Sequence, residues 1–263
     1  MSPASVWLEG TGVEHVGALV MDRPEALNAI STAQAEALAD GCTRAAGAGL
    51  RVLLLTSAVD GVFCVGADLK ERGTMDSEQL FAQRPVLQAA FEAVAALPVP
   101  TVAVVDGHAL GGGLELALRC DLVVAGPRAS LGLPEVGVGL VPGGGGTQLL
   151  PRRVGLNRAL DLVLTGRRVG AEEAERIGLV DRVAEDPRAA ALELAGQIAA
   201  RSPLAVRAAR RAVRTGYDLA LDEALQVEDA AWREAAASAD RVEGIEAFVA
   251  RRTPYWPSGG DAR

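Results

Sequence analysis

The sequence predicts an α/β fold with a helical C-terminal part. In residues 1–186, short apolar runs typical of buried strands alternate with segments that have the composition of helices. From residue 187 onward, segments rich in Ala, Leu, Glu and Arg follow one another without strand signals between them. We therefore expect a core at 1–186 and a helical region at 187–263, which packs on the core or on a neighbouring subunit and is not independent.

The predicted strands rest on apolar runs, and the predicted helices rest on start and stop signals. Ser31 is typical of an N-cap, and Gln34 three residues later completes a capping box. Pro98 and Pro100 end a long helix. Strands are expected at Val13–Met21, Arg51–Thr56, Thr101–Asp106 and Leu122–Ala125, and helices at Ala33–Ala46, Asp76–Leu97, Arg188–Ala200, Pro203–Arg214, Leu219–Ala236 and Arg241–Arg252. The glycines and prolines from Gly126 to Gly146 predict a long irregular region with a functional role.

The composition of the 263 residues excludes several classes of function. The formal charge of −8 argues against a nucleic-acid or anionic-membrane binder, since both need a basic surface. Lys70, the only lysine, lies outside any Gly-Lys-Ser/Thr sequence, which excludes a P-loop NTPase. No serine lies in a G-x-S-x-G frame, so a nucleophile-elbow hydrolase is disfavoured. Three cysteines and two histidines predict neither a disulfide framework nor a metal site.

The location of the protein is predicted from its apolar segments. No apolar run approaches the length of a membrane span, about 18 residues. Residues 1–9 lack the basic and apolar regions of a signal peptide. We expect a cytoplasmic protein with reduced thiols and no membrane partner.

The segment Asp106–Asp121 combines the end of a strand, three glycines and the start of a helix. Glycines at a helix N-terminus let a ligand approach the backbone, where free N–H groups bind negative charge. Glu115 follows Gly112 by three residues, so both point to one side of the helix. Close strand-to-helix packing, with Glu115 serving only the helix dipole, explains the same pattern and stays open.

Two further segments contain candidate catalytic groups. Gly66 can turn the chain so that the amide of Ala67 faces a cleft, although a loop around the buried Phe63 explains that segment equally. Glu135 lies in apolar, glycine-rich surroundings, which raise the pKa of a carboxyl group and suit it to proton transfer. An exposed loop glutamate is the alternative.

The candidate residues fit one arrangement. The amides of Ala67 and Gly112 could converge on one carbonyl oxygen, with Glu115 and Glu135 on the other side of the substrate. Two such donors form an oxyanion hole, and loss of one donor typically costs about 3–4 kcal/mol of barrier.

The sequence resembles the crotonase superfamily of enoyl-CoA hydratases and isomerases. The resemblance extends from Met21–Ala29 through Leu97–Thr101 to Ala247–Arg252. It is carried by the segments Phe63–Glu71, Asp106–Asp121 and Pro134–Gln148. Within these segments, Ala67–Arg72, Gly111–Leu118 and Pro142–Gln148 are most similar to the methylglutaconyl-CoA hydratase branch. The resemblance implies a spiral of ββα units, with a C-terminal helical trimerisation region that builds homotrimers, often paired into homohexamers.

The resemblance also implies roles for particular residues. Glu115 and Glu135 match the two catalytic glutamates of the hydratases, and Ala67 and Gly112 match the oxyanion-hole positions. Phe248 and Arg251 match positions that approach coenzyme A from a neighbouring subunit. The full set of positions implied for substrate or coenzyme A is Arg23, Ala67, Asp68, Leu69, Lys70, Gly112, Phe248 and Arg251. Coenzyme A is part of the substrate, and no separate cofactor is expected.

The implied reaction is reversible addition of water across the C2–C3 double bond of a 2-enoyl-CoA. Isomerisation between 3-enoyl-CoA and 2-enoyl-CoA is the first alternative, because it can use a single glutamate. RNA binding, known in the same branch, is disfavoured, because Arg44 is the only basic residue of the helix predicted within Ser31–Gly49. A coenzyme A-binding protein without activity is a further alternative. The acyl group is open: Arg72 and Arg84 could bind a distal carboxylate, or could be surface residues.

Overall fold

Two β-sheets form the centre of the computed structural model, which describes residues 6–260. The larger sheet has the strand order β1-β2-β3-β5-β7-β10, and the smaller sheet has the order β4-β6-β8-β9. Pairing is parallel except between β1 and β2 and between β8 and β9. The strands are β1 (Val6–Gly10), β2 (Val16–Met21), β3 (Val52–Ser57), β4 (Val62–Cys64), β5 (Thr101–Val105), β6 (His108–Leu110), β7 (Leu122–Ala125), β8 (Ser130–Gly132), β9 (Val169–Gly170) and β10 (Arg182–Val183).

Helices follow the strands in a repeating order. The pairs β3/β4, β5/β6 and β7/β8 each place the first strand in the larger sheet and the second in the smaller one, and each pair is followed by helices. The helices are α1 (Thr32–Ala46), α2 (Leu69–Arg72), α3 (Ser77–Ala95), α4 (Gly112–Arg119), α5 (Gly146–Val154), α6 (Leu156–Thr165), α7 (Ala171–Arg176), α8 (Pro187–Ala199), α9 (Pro203–Gly216), α10 (Leu221–Ala236) and α11 (Ala239–Ala250). This succession confirms the predicted spiral of ββα units.

The larger sheet is buried on both faces, as its continuous apolar strands predict. In β3, Leu53 and Leu55 face the main core, which includes residues of α1, α3 and α4. Val52 and Leu54 face the opposite side, where they pack with α8. Because alternate side chains of a strand point to opposite faces, a uniformly apolar strand is expected at such a position.

Most of the predicted elements are confirmed, with shifts of a few residues at their ends. The Oγ atom of Ser31 accepts a hydrogen bond from the backbone N–H of Gln34, as an N-cap should. The predicted capping box is wrong, however, because the buried side-chain amide of Gln34 has no hydrogen-bond partner among the described residues. The long irregular region expected from Gly126 to Gly146 is also partly wrong, since it contains β8 and a short 3-10 helix at Glu135–Val138.

The C-terminal helices lie against the core through both apolar and charged contacts. Besides α8 on the larger sheet, α9 is bound to the turn before β7 through Asp121. The carboxylate of Asp121 lies 2.7 Å from Nε of Arg210 and 2.9 Å from Nη1 of Arg214. These contacts fit a dependent helical region, while the boundary near residue 187 stays a prediction. No helix within residues 6–260 is long and apolar enough to cross a membrane.

Candidate active site

The turn after β4 lies directly on the turn between β6 and α4. Gly66 has φ +96°, and a β-carbon built on it would lie 2.9 Å from the carbonyl oxygen of Leu110 and 3.2 Å from the amide nitrogen of Gly112. A side chain at position 66 would therefore separate the two turns. Gly113 is equally constrained, because its β-carbon would lie 2.0 Å from the carbonyl oxygen of Cys64.

Two backbone amides at this contact have no hydrogen-bond partner within residues 6–260. The isolated bridge between Ile30 and Ala67 uses the carbonyl of Gly66 and the amide of Asp68, at 2.7 and 3.1 Å, so the amide of Ala67 faces away from Ile30. Gly112 is the first residue of α4, where an N–H has no partner within the helix. Within residues 6–260, neither the Ala67 amide nor the Gly112 amide donates a hydrogen bond to the protein.

Glu115 is a buried carboxylate held by backbone amides. It lies in the first turn of α4 with 2 % of its surface exposed. Its Oε1 atom accepts hydrogen bonds of 2.7 Å from the N–H groups of Gly144 and Gly146. Burial raises the pKa of Glu115, and the two N–H groups oppose that shift because they stabilise the charged form.

The glycine run that binds Glu115 is required by packing. A β-carbon on Gly146 would lie 3.0 Å from Oε1 of Glu115, and one on Gly144 would lie 2.6 Å from the ring of Phe91. Any side chain at these positions would displace the carboxylate or the ring. The run therefore brings the amides of Gly144 and Gly146 to Glu115, 29 and 31 residues away in the sequence.

Glu135 is the second carboxylate of the site and begins the short 3-10 helix after β8. A β-carbon on Gly111 would lie 3.0 Å from its Oε1 atom, which places the carboxyl group beside the start of α4. Its Oε2 atom is buried without a hydrogen-bond partner among the described residues. Burial, with a contribution from the nearby charge of Glu115, raises the pKa of Glu135 to about 7.

The site therefore combines two unpaired amides, one anchored carboxylate and one carboxyl group that titrates near neutral pH. Such amides can stabilise negative charge that develops on an oxygen. A carboxyl group with a pKa near the working pH can both accept and release a proton. The structure brings together the four residues that the sequence predicts for catalysis: Ala67, Gly112, Glu115 and Glu135.

Asp68 and Arg23 support the loop that carries Ala67. Oδ1 of Asp68 accepts from the N–H groups of Lys70 and Glu71 at 3.0 and 3.1 Å, which makes it the N-cap of α2. Oδ2 lies 2.8 Å from Nη1 of Arg23, which also donates to the carbonyl of Ala29 at 2.8 Å. Burial acts to raise the pKa of Asp68, but these N–H groups and Arg23 hold it below its ordinary value.

Comparison with known proteins identifies the family to which this site belongs. The family described as Enoyl-CoA hydratase/isomerase matches residues 12–259. The chain belongs to the enoyl-CoA hydratase/isomerase family. The predicted crotonase-type fold and the predicted class of enzyme are thereby confirmed.

Individual relatives are similar in sequence to this hydratase/isomerase family member over most of its length. It is 42% identical to mouse enoyl-CoA hydratase domain-containing protein 2 over 245 residues, 90% of this chain and 82% of the relative. It is 40% identical to mouse methylglutaconyl-CoA hydratase over 213 residues, 79% of this chain and 68% of the relative. A crystal structure of an enoyl-CoA hydratase from Bacillus anthracis superposes with a TM-score of 0.92 at 40% identity, covering 97% and 99% of the two chains.

The remaining predicted coenzyme A positions of this family member lie on its surface. Leu69 and Lys70 are exposed on α2, beside the loop of Ala67. Phe248 is 84 % exposed near the end of α11, and Arg251 is the left-handed C-cap of that helix. Neither forms a hydrogen bond or ion pair with Glu115 or Glu135 among the described residues. Their contacts with coenzyme A, like that of Arg23, stay predictions.

A polar network on α3 was not anticipated from the sequence. Gln83 is buried, and its Nε2 atom donates at 2.9 Å to both Oγ1 of Thr32 and Oε2 of Glu71. Its Oε1 atom accepts from Nε of Arg72 at 3.2 Å. The sequence did contain one indication of this network. Gln83 precedes the buried Leu87 by four residues and the buried Phe91 by eight, so a polar residue lies on the apolar side of α3.

Proposed function

We propose that this enzyme adds water reversibly across the C2–C3 double bond of a 2-enoyl-CoA thioester. The observation that carries the proposal is the buried, unpaired Oε2 atom of Glu135 beside the start of α4, where Glu115 and the unpaired amide of Gly112 also lie. A buried acceptor without a partner is costly unless a ligand completes it. A water molecule between the two carboxyl groups would do so.

The two amides act on the thioester. When the water oxygen attacks C3, the electrons of the double bond move towards the thioester carbonyl, and the charge collects on its oxygen. Hydrogen bonds from Ala67 and Gly112 stabilise this enolate, and each such donor is typically worth about 3–4 kcal/mol of barrier. Because both amides are fixed by the glycine contact between their turns, little reorganisation accompanies the reaction.

The two glutamates divide the proton transfers. Glu115, whose charged form is stabilised by the Gly144 and Gly146 amides, orients the water and accepts its proton. Glu135 in its protonated form delivers a proton to C2. The product is a 3-hydroxyacyl-CoA, and the reverse sequence removes water. The two titrations are coupled because the charge of Glu115 acts on Glu135.

Hydration and isomerisation differ in the fate of the water oxygen, and this difference supplies the test. The purified enzyme is incubated with a 2-enoyl-CoA in heavy-oxygen water, and the products are analysed by mass spectrometry. Hydration predicts a 3-hydroxyacyl-CoA that carries the heavy oxygen. Formation of 3-enoyl-CoA without incorporated oxygen would favour the isomerase instead, and no reaction with either enoyl-CoA would favour a coenzyme A-binding protein without activity.

We further propose that the enzyme acts as a homotrimer or a homohexamer. Large apolar side chains are exposed on the C-terminal helices, including Trp232 on α10 and Ile245, Phe248 and Val249 on α11. Clustered exposed apolar residues are typical of interfaces between subunits. Sedimentation equilibrium should give three or six times the mass of 27.1 kDa; a monomer at all concentrations would contradict the proposal.

The remaining expectations concern cofactor, location and nucleic acid. We propose that coenzyme A enters only as part of the substrate and that the enzyme is cytoplasmic, which the three buried free thiols fit. Cell fractionation tests the location.

We also propose that the enzyme binds no RNA, because its formal charge is −8 and α1 carries only Arg44 as a basic residue. A gel shift with micromolar or tighter affinity at physiological salt would contradict this.

A further inference from the structure

The guanidinium of Arg119 binds the glycine run that holds Glu115. Arg119 lies in the last turn of α4, and its Nε and Nη2 atoms donate to the carbonyl oxygen of Gly144 at 3.1 and 2.8 Å. The side chain is only 18% exposed. Because two donors of one planar group converge on one oxygen, they fix the position of that carbonyl more closely than a single donor would.

Gly144 is therefore held by α4 through both of its backbone polar groups. Its N–H donates to Oε1 of Glu115 at 2.7 Å, and its carbonyl accepts from Arg119. Glu115 and Arg119 are four residues apart, so they share one face of the helix. No ion pair joins these two side chains among the described residues, since Arg119 is paired with Glu92 of α3 at 3.1 Å. The hydrogen-bonded route from Arg119 to Glu115 thus passes through Gly144.

The glycine run at residues 143–146 is a segment that such hydrogen bonds can restrict. Gly145 has φ +119° and is the N-cap of α5, where no side chain caps the helix. Glycine loses more conformational freedom on folding than any other residue, so a run of four is costly to order. A β-carbon on Gly145 would lie 3.0 Å from Nη2 of Arg119, which shows that the guanidinium lies directly against the run.

We propose that Arg119 is a positioning residue for hydration, because its hold on the carbonyl of Gly144 keeps the amides of Gly144 and Gly146 on Oε1 of Glu115. The carboxylate that accepts the proton of water is thereby fixed from outside the site. This inference rests on the proposed function for the role of Glu115. Within residues 6–260, the hydrogen bonds and ion pair of Arg119 go to Gly144 and Glu92, so binding of the thioester does not require it.

The charge of Arg119 acts in the same direction as these amides. Burial raises the pKa of Glu115, and the N–H groups of the glycine run and the charge of Arg119 oppose that shift. The other charged groups around Glu115 come from different elements: Arg72 on α2, Glu135 after β8, and Arg84 on α3, which lies against the glycine run. Loss of Arg119 should therefore raise the pKa of Glu115 while these groups stay in place.

Steady-state hydration of crotonyl-CoA compares wild type with Arg119→Met, which keeps an unbranched side chain and removes the donors and the charge. We expect kcat to fall about 10²-fold, the scale of a small misplacement of a catalytic group, while KM stays close to that of wild type. The rise of kcat/KM with pH that follows ionisation of Glu115 should move to higher pH, because its pKa rises. A wild-type kcat, or a fall in kcat without this movement, would overturn the proposal.

Two control variants separate this role from a general loss of packing. Arg153 on α5 is 17% exposed and also binds one carboxylate, that of Asp181, and one backbone carbonyl, that of Asp121. Arg153→Met should lower stability and leave kcat and the pH profile unchanged. Glu92→Gln removes the ion pair of Arg119 but keeps its bonds to Gly144, so it should also keep the kcat of wild type. A loss of kcat in either control as large as that in Arg119→Met would overturn the proposal.

Urea unfolding at neutral pH tests the inference without turnover. If Arg119 acts on Glu115 through Gly144, Arg119→Met should cost less stability in the Glu115→Gln background than in wild type. Equal costs in the two backgrounds would overturn the positioning role even in an active hydratase. A smaller cost in the Glu115→Gln background, in a protein that hydrates no enoyl-CoA, would support the hold of Arg119 on Glu115 and overturn hydration as the function.

Discussion

Nη1 of Arg23 lies 2.8 Å from Oδ2 of Asp68, and this ion pair joins the turn before α1 to the loop that carries Ala67. Both side chains are largely buried, at 12% and 9% exposure. Asp68 also caps α2 and follows the proposed oxyanion amide directly in the chain. The ion pair therefore holds the amide of Ala67 in place, although neither side chain needs to touch the thioester.

Breaking this pair should cost stability and turnover together. Arg23→Met leaves the buried Asp68 carboxylate without its cation, which typically costs about 3 kcal/mol or more. Because the loop that carries Ala67 loses this ion pair, its amide is held less firmly and kcat should fall as well. The double variant Arg23→Met/Asp68→Asn should lose less than the sum of the single variants, as measured by urea unfolding. Additive losses would show that the pair does not act as a unit.

Gly66 provides a direct test of the contact between the two turns. Gly66→Ala places a methyl group 2.9 Å from the carbonyl of Leu110 and 3.2 Å from the amide of Gly112. We expect turnover to fall about 10²–10³-fold, the scale of losing one oxyanion donor. Gly49→Ala is the matched control, since Gly49 also has a positive φ of +68° but meets nothing within 4 Å. An equal loss in both variants would attribute the effect to backbone strain.

The pKa of Glu135, raised to about 7, predicts the pH dependence of hydration. The protonated form delivers the proton to C2, so kcat/KM for hydration should fall as the pH rises through about 7. Dehydration needs the same single proton on the carboxyl pair, placed on Glu115 instead, so its kcat/KM should fall over the same interval. Initial rates in both directions from about pH 5 to about pH 9 check this. A hydration profile that stays flat over this interval would remove Glu135 as the proton donor.

The same shift has a consequence for stability. The folded-state pKa of Glu135 lies above its ordinary value of 4.5, so the proton stabilises the folded state and this contribution is lost as the pH rises to about 7. Glu135→Gln cannot ionise and should gain about 1 kcal/mol relative to wild type between about pH 5 and about pH 8, since solvent screens part of the full effect. Urea unfolding at both pH values measures the difference. A constant difference would show that the carboxyl titrates normally.

The sequence predicted the elements that are set by local residue patterns, but not those that are set by distant contacts. Local signals placed α1, the long α3 and the strand β7, because capping residues and apolar runs act over a few residues. The strands β4, β6 and β8 have only three residues each and are fixed by pairing with distant strands, so local patterns did not indicate them.

The candidate site shows the same division. Both glutamates and both amides were candidates from their glycine-rich or apolar segments, but each segment had an alternative explanation, and the resemblance to the family supplied their roles. The hydrogen bonds from Gly144 and Gly146 to Glu115 could not be predicted, since they join residues 29 and 31 positions apart in the sequence. The Gln83 network depends likewise on how α3 packs, which no local pattern specifies.

The most direct test of the account compares hydration of crotonyl-CoA by wild type, Glu115→Gln and Glu135→Gln. Each substitution keeps the size of the side chain and removes its ability to exchange a proton. We predict that kcat falls at least about 10³-fold in each variant, within the range of general acid–base contributions, while circular dichroism shows an unchanged fold. Turnover like that of wild type in either variant would contradict the proposed mechanism.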